Sequence, residues 1–180
     1  VYAAGISAGG AMAALLAREY PELFAAVGVH SGLRAGAADN VMAALSAMNN
    51  GAKVGTSETP PTHNSGAAQP ALIVFHGEND STVHPKNGAQ LVQAALQTAL
   101  GDKNAALHET QQGQSNAGQR FTRHLYRGSD SDSDKVLVEH WLLHNGGHAW
   151  SGGSAKVGQT DPKGVSATQE MLRFFLEHPQ

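Results

Sequence analysis

Gly5-Ile6-Ser7-Ala8-Gly9 places one serine between two glycines in G-x-S-x-G spacing, after a short apolar run and before an alanine-rich one. Residues 1–4 read as a buried strand and residues 10–20 as a helix that Pro21 helps to end. A serine at so sharp a strand-to-helix turn is a nucleophile elbow, and the chemistry it points to is that of a serine hydrolase. The turn forces the serine into an unfavourable backbone conformation and crowds the residues two positions to either side. Glycines at 5 and 9 remove the side chains that would collide. The same turn lifts the Ser7 hydroxyl clear of the sheet and aims the backbone N–H of Ala8, at a helix N-terminus, toward an oxyanion.

A serine hydroxyl is a weak nucleophile near neutral pH. It needs a base within hydrogen-bond reach and a carboxylate that holds the base in the right tautomer. With an elbow of this kind the chain order is Ser, then acid, then His. Asp80 follows the clearest strand of the chain, ALIVF at 71–75, in the turn His76-Gly77-Glu78-Asn79-Asp80. The rival acids are Asp102, after a helix end, and Asp130, Asp132 and Asp134, in a solvated turn. For the base, His140, His144 and His148 are spaced by four, which on a helix would suggest a metal site. The β-branched and apolar run 136–143 and the helix-breaking Asn145-Gly146-Gly147 argue for a strand instead, and no H-E-x-x-H is present, so no metal is expected. His148 is the preferred base because it stands in a Gly-rich loop past the strand. His140 reads as a strand side chain and His144 as a strand-end residue. His30 and His76 end strands on the same side and read as supporting residues. Trp150, two residues past His148, is a candidate wall of the substrate pocket or a core packing residue.

These residues require a framework. Residues 25–30 read as a second buried strand, so strand, helix and strand within about thirty residues form a βαβ unit and imply a parallel sheet. Residues 41–48 are apolar at helical spacing, and 87–100 and 166–177 read as helices, the last presenting Met171, Leu172, Phe174 and Phe175 for packing. Residues 49–70 and 101–118 read as polar loops, the first bordering the substrate site. Two strands, 119–127 and 135–143, flank an acidic turn at 129–134.

The chain has 180 residues, 41% of them hydrophobic, which suits one domain with a substantial core. A formal net charge of −3, from 12 Lys and Arg against 15 Asp and Glu, supplies no basic footprint for nucleic acid. No apolar run reaches the length of a membrane span. With no cysteine there is no thiolate nucleophile, disulfide or cysteine zinc site.

The segments GISAGGAMAALLAREYPELFAAVGVHSG, ALIVFHGENDSTVHPKNG, VEHWLLHNGGHAWSGG and TDPKGVSATQEMLRFFLEH resemble the esterase family typified by poly(3-hydroxybutyrate) depolymerases, with relatives among feruloyl and acetylxylan esterases. The resemblance covers nearly the whole chain. It implies an α/β-hydrolase fold, a mostly parallel sheet flanked by helices. It implies ester hydrolysis without a cofactor, Ser7 as nucleophile, Asp80 as acid and His148 as base, and it favours a secreted protein. The substrates implied are a polyester, or an acylated polysaccharide or small ester. A rival of another class is a binding module that keeps the fold without turnover. Two departures stand out: secreted members often carry disulfides, and the family places several strands and an oxyanion-hole loop before the elbow. Residues 1–180 are therefore expected to be the C-terminal part of a longer catalytic domain. On that expectation the nucleophile strand presents an apolar edge through which the chain could self-associate.

Overall fold

The computed structural model describes residues 1–37, 41–52, 68–100, 107–128 and 135–179. Its elements in chain order are β1 (Tyr2–Ile6), α1 (Ala8–Glu19), β2 (Ala26–His30), α2 (Val41–Asn50), β3 (Ala71–Gly77), α3 (Lys86–Leu100), β4 (Leu107–Gln114), β5 (Arg120–Arg127), β6 (Val136–Leu143), β7 (Trp150–Ser151), β8 (Thr160–Asp161) and α4 (Ala167–Leu176). Six strands form one sheet in the order β1-β2-β3-β6-β5-β4. Strands β1, β2, β3 and β6 run parallel, while β5 and β4 extend the sheet antiparallel. The fold is α/β, as the sequence predicts, with a mixed and mostly parallel sheet.

Strand composition explains the layering. All of β2 is buried, and β3 is buried from Leu72 to Gly77, the continuous apolar pattern of strands covered on both faces. Alternation along β3 sends Leu72 and Val74 to one face, where they join Ala17 of α1 and Leu91 and Val92 of α3. Ile73 and Phe75 go to the other face, where Ala167, Met171, Phe174 and Phe175 of α4 cover them. Those four α4 residues fall at i, i+4, i+7 and i+8, one stripe of a helix. Leu172 lies off that stripe and is 55% exposed, so it does not pack as the sequence reading expects. Ser166 caps α4, its side chain accepting from the Gln169 N–H at 3.3 Å.

The expected elements shift by a few residues: β1 runs to Ile6, and α1 begins at Ala8, directly after the serine. Two expectations fail: β1 is not a buried strand, because it forms the end of the sheet order among the described residues and none of its residues is buried, and residues 101–118 are not all loop. Part of the polar stretch at 101–118 is a strand, β4, paired residue for residue with β5 from Leu107↔Arg127 to Gln114↔Arg120. LHETQQGQ has no apolar alternation because it forms the sheet's outer edge and its backbone pairing substitutes for core burial. Cross-strand contacts support it, with Arg127 Nη1 donating to Glu109 at 3.1 Å and Arg123 Nη1 to Gln111 at 3.3 Å. Polar side chains also blunt this edge against pairing with other chains. The acidic turn at 129–134 and most of the expected loop at 49–70 lie outside the described residues.

One buried charge ties the antiparallel extension to α4. Glu139 on β6 has no exposed surface. It accepts from Arg123 Nε and Nη2, each at 2.9 Å, from Trp141 Nε1 at 2.6 Å and from Arg173 Nη2 at 2.6 Å. Burying a carboxylate is tolerable only with such full pairing. Replacing Glu139 with Ala leaves Arg173 its bonds to Glu170 and Glu177 but removes the carboxylate that Arg123 and Trp141 Nε1 share, and the expected loss is about 1–3 kcal/mol of stability, read by denaturant or thermal unfolding. An unchanged unfolding midpoint would contradict this role.

Candidate active site

Ser7 occupies the single residue between β1 and α1, with φ 56° and ψ −122°. A positive φ is uncommon for a residue with a side chain and costs about 1–3 kcal/mol unless the surroundings enforce it. Here they do: the Ser7 N–H donates to the His30 carbonyl at 2.9 Å, and the Ala11 N–H donates to the Ser7 carbonyl at 2.9 Å. A side chain at Gly5 would run into the backbone carbonyl of Gly9, so the turn closes only with glycine there. Although Ser7 stands at the N-cap position, its hydroxyl makes no capping bond, and the first turn of α1 contains no acidic residue. The hydroxyl is thereby left for other chemistry. The Ala8 N–H belongs to the first turn of a helix, whose N–H groups have no partner within the helix.

Asp80 follows β3 and its side chain is completely buried. One carboxylate oxygen, Oδ1, accepts from the Thr82 N–H at 2.9 Å and the Val83 N–H at 2.7 Å. The other, Oδ2, lies 2.8 Å from His148 Nδ1. Burial alone pushes this carboxyl up. The Val83 N–H, the His148 side chain and the Ser31 hydroxyl outweigh burial and hold it below the ordinary aspartate range. It is an anion aimed at an imidazole. A carboxylate can only accept, so His148 carries its proton on Nδ1 and leaves Nε2 as the basic nitrogen.

The acid turn and the base loop are sewn together. The Glu78 N–H donates to Leu143 at 2.9 Å and the Asn79 N–H to Gly146 at 2.8 Å. A side chain at Gly77 would strike the Gly146 and Gly147 carbonyls, so these two segments meet only through glycine.

The histidines weighed against His148 go elsewhere. His140 is a buried strand residue on β6, its Nε2 buried without a hydrogen-bond partner. His144 lies at the strand end between Thr122 Oγ1 at 2.9 Å and Glu78 Oε2 at 3.0 Å. The three evenly spaced histidines thus diverge, and among the described residues no three His, Cys, Asp or Glu side chains gather as a metal site. Of the rival acids, Asp102, Asp130, Asp132 and Asp134 lie outside the described residues. His76 donates from Nε2 to the Val83 carbonyl at 2.8 Å and sits 3.6 Å from Asp80. Trp150 stacks on His30 at 5.4 Å, donates to Thr168 Oγ1 at 3.0 Å and packs against the α4 core.

Beside Ser7 opens a cavity of about 370 Å³, lined by Ala8, Ala11, Met12 and Leu15 of α1, by the 33–37 segment, and by Ala44 and Met48 of α2. The 33–37 segment carries no sequence signal for such a role, and only the Ser31-Gly32 strand end hints at a turn there. Trp150 is not part of this lining.

Residues 1–112, more than half the chain, match the family described as Esterase PHB depolymerase. The chain is 33% identical over 97 residues to acetylxylan esterase A of Aspergillus ficuum, covering 48% of this chain and 32% of that protein. It is 32% identical over 97 residues to acetylxylan esterase A of Talaromyces purpureogenus, covering 48% of this chain and 25% of that protein. The match thus spans about a third or less of these relatives' length. The acetyl xylan esterase structure from Aspergillus awamori superposes over 98% of this chain and 59% of its own, with a TM-score of 0.67 and 19% identity, a likeness of fold.

Burial around the site sets a pH limit on stability. It lowers His30 and His140 from 6.5 to about 3, and lowers His76 as well. These groups stay neutral when folded but protonate when unfolded, so the unfolded chain binds more protons below about pH 6.5. Their stabilising contribution is complete above that pH and is lost as pH falls toward 3. The melting temperature is expected to drop from pH 6.5 to 4.5, before most carboxylates titrate. A flat profile in that window would show that these histidines are not held neutral.

Proposed function

Because the chain belongs to the esterase PHB depolymerase family, we propose that it hydrolyses carboxylic esters through an acyl-enzyme on Ser7, with His148 as base, Asp80 as the carboxylate that orients it, and the Ala8 N–H as an oxyanion donor. The observation that carries this reading is the 2.8 Å contact between a fully buried, ionised Asp80 and Nδ1 of a partly exposed His148. It lies at the same sheet end as a serine held at φ 56°.

The steps follow from these roles. His148 Nε2 takes the Ser7 proton as the Ser7 oxygen bonds to the ester carbonyl carbon. The carbonyl oxygen becomes an oxyanion, which the Ala8 N–H stabilises at the positive end of α1. His148 then returns the proton to the leaving alcohol as the C–O bond breaks. Water repeats the cycle on the acyl-enzyme, releasing the acid and restoring Ser7. Asp80 stays ionised throughout and stabilises the imidazolium.

The lining of the cavity beside Ser7 supports an acyl group of modest size and apolar character, since Met12, Leu15, Leu33 and Met48 supply most of its bulk. A hydroxyalkanoate polyester is the substrate class we favour, in keeping with the family. The second reading is an acetylated polysaccharide, and the acetylxylan esterase relatives support it. Feruloyl esters are a further candidate. Release rates from hydroxybutyrate oligomers, acetylated xylan, methyl ferulate and p-nitrophenyl esters of graded length would rank the three.

Ser7→Ala is expected to abolish both turnover and labelling by a fluorophosphonate, and His148→Ala to cost nearly as much, because such groups act as a unit. Asp80→Asn should lower kcat by about 10⁴-fold through loss of tautomer control. An inactive His140→Ala or His144→Ala beside an active His148→Ala would assign the base elsewhere. The base must be neutral to accept the proton, so kcat/KM should rise with pH through a histidine-like ionisation. Activity should survive chelators, and a loss restored by zinc would overturn the mechanism.

A further inference from the structure

We propose that His30 and Ser31 are positioning residues, forming a buried hydrogen-bond relay that fixes the Asp80–His148 pair from behind, from the Ser151 N–H through His30 and the Ser31 hydroxyl to the Asp80 carboxylate. The proposal rests on the catalytic reading above.

Donor and acceptor roles fix the direction of the relay. The backbone N–H of Ser151 lies 3.1 Å from His30 Nε2, and a backbone N–H can only donate. Nε2 must therefore be the unprotonated nitrogen, and the ring proton sits on Nδ1. Nδ1 lies 3.1 Å from Ser31 Oγ, so it donates there. Having accepted that bond, the Ser31 hydroxyl has its own proton to give. The acceptor the relay assigns to it is Asp80, whose carboxyl the Ser31 hydroxyl helps hold below the ordinary range together with the Val83 N–H and His148. His76 Nε2, although 3.6 Å from Asp80, is committed to the Val83 carbonyl.

Three features separate this relay from ordinary core hydrogen bonding. Both side chains are fully buried, with no exposed surface on His30 or Ser31. Ser31 is held at φ 48°, a left-handed backbone for a residue with a side chain, and its N–H is fixed to the Phe75 carbonyl at 2.9 Å. Strain of this kind persists only where its surroundings impose it, and it clusters at functional sites. Finally, the relay touches both members of the acid–base pair. Ser151 lies three residues after His148 on the same segment, and Trp150, between them, stacks on the His30 ring at 5.4 Å. One imidazole thus braces the base-bearing segment at one end and, through Ser31, the carboxylate at the other. Burial keeps that imidazole neutral despite Asp80 nearby, with His76 and His148 opposing its protonation. A protonated His30 would present a donor to the Ser151 N–H and break the relay.

Ser31→Gly is the discriminating variant, because glycine accepts the left-handed backbone and only the hydroxyl is lost. The expected result is a fall in kcat of about tenfold with KM within about twofold, the worth of one hydrogen bond to a charged group. With one donor fewer, the Asp80 carboxylate is more negative and holds the imidazolium more tightly. The acid limb of the kcat/KM profile should therefore move to higher pH, as should the His148 titration followed by imidazole NMR. In the unaltered protein, imidazole ¹⁵N shifts should show His30 as the Nδ1–H tautomer without titration down to about pH 4. His30→Phe keeps the ring stack and removes both bonds, and should reproduce the pH shift. Unchanged kcat and acid limb in a Ser31→Gly protein of normal melting temperature, or an Nε2–H tautomer at His30, would overturn the relay. Absence of Ser7-dependent turnover would instead overturn the catalytic reading, and the NMR results would still decide the relay.

Discussion

A left-handed residue between a strand and a helix can exist here only because position 5 lacks a side chain, whereas a Cβ at Gly9, contrary to the expectation from the sequence, would meet nothing, and the arrangement of the site follows from the constraint at Gly5. Gly5 lets the chain reverse so tightly that the Gly9 carbonyl occupies the space of a Cβ. The reversal starts α1 at Ala8 with no capping demand on the Ser7 hydroxyl. The hydrogen bond from the Ser7 N–H to the His30 carbonyl then locks the elbow to the end of β2. Parallel register carries that position across the sheet, since Ile6 pairs with His30 and His30 with Phe75. Ser7, Ser31, Asp80 and His148 consequently follow the carboxyl ends of β1, β2, β3 and β6, the side of an open parallel sheet where ligands bind.

The sheet brings these ends together but does not by itself hold an acid against a base. Glycine makes the second close approach possible, with Gly77 and Gly146 allowing the Asp80 turn and the His148 loop to share backbone hydrogen bonds. Asp80 can then be buried without being neutralised, because backbone and side-chain donors outweigh its desolvation. A carboxylate so held orients a ring without competing for its proton.

What the sequence made legible was whatever had a local signal. The elbow announced itself through glycine spacing, β3 through an unbroken apolar run, and α4 through its cluster of apolar residues, of which Met171, Phe174 and Phe175 pack and Leu172 does not. The 2.8 Å contact between Asp80 and His148 joins two residues that chain order and loop placement had singled out. Strand β4 was illegible because an edge strand with polar residues on both faces carries no hydrophobic period, and its stability comes from pairing with a partner further along the chain. Glu139 was illegible for a related reason: a lone acid in a strand reads as solvent-facing until two arginines distant in sequence converge on it. His30 and Ser31 were visible as a strand end but not as a relay, because the groups they connect are about 50 and more residues away.

In the proposed mechanism one histidine cycles a proton, and the surroundings of the others near this sheet suit them less well to that role. His30 and His140 are buried deeply enough that charge on either is strongly disfavoured, and burial lowers His76 too. His76 lies near Asp80, but its Nε2 is spent on a backbone carbonyl and its Nδ1 is buried without a partner. His144 faces an exposed glutamate and a threonine, away from the carboxylate that matters. Among these histidines, His148 combines partial exposure with direct contact to a buried carboxylate, so its charged form has a counterion and its proton a route to solvent or substrate. In the proposed mechanism, the neutral histidines around it play the complementary part. They fill the low-dielectric surroundings that strengthen the Asp80–His148 interaction without adding a competing charge.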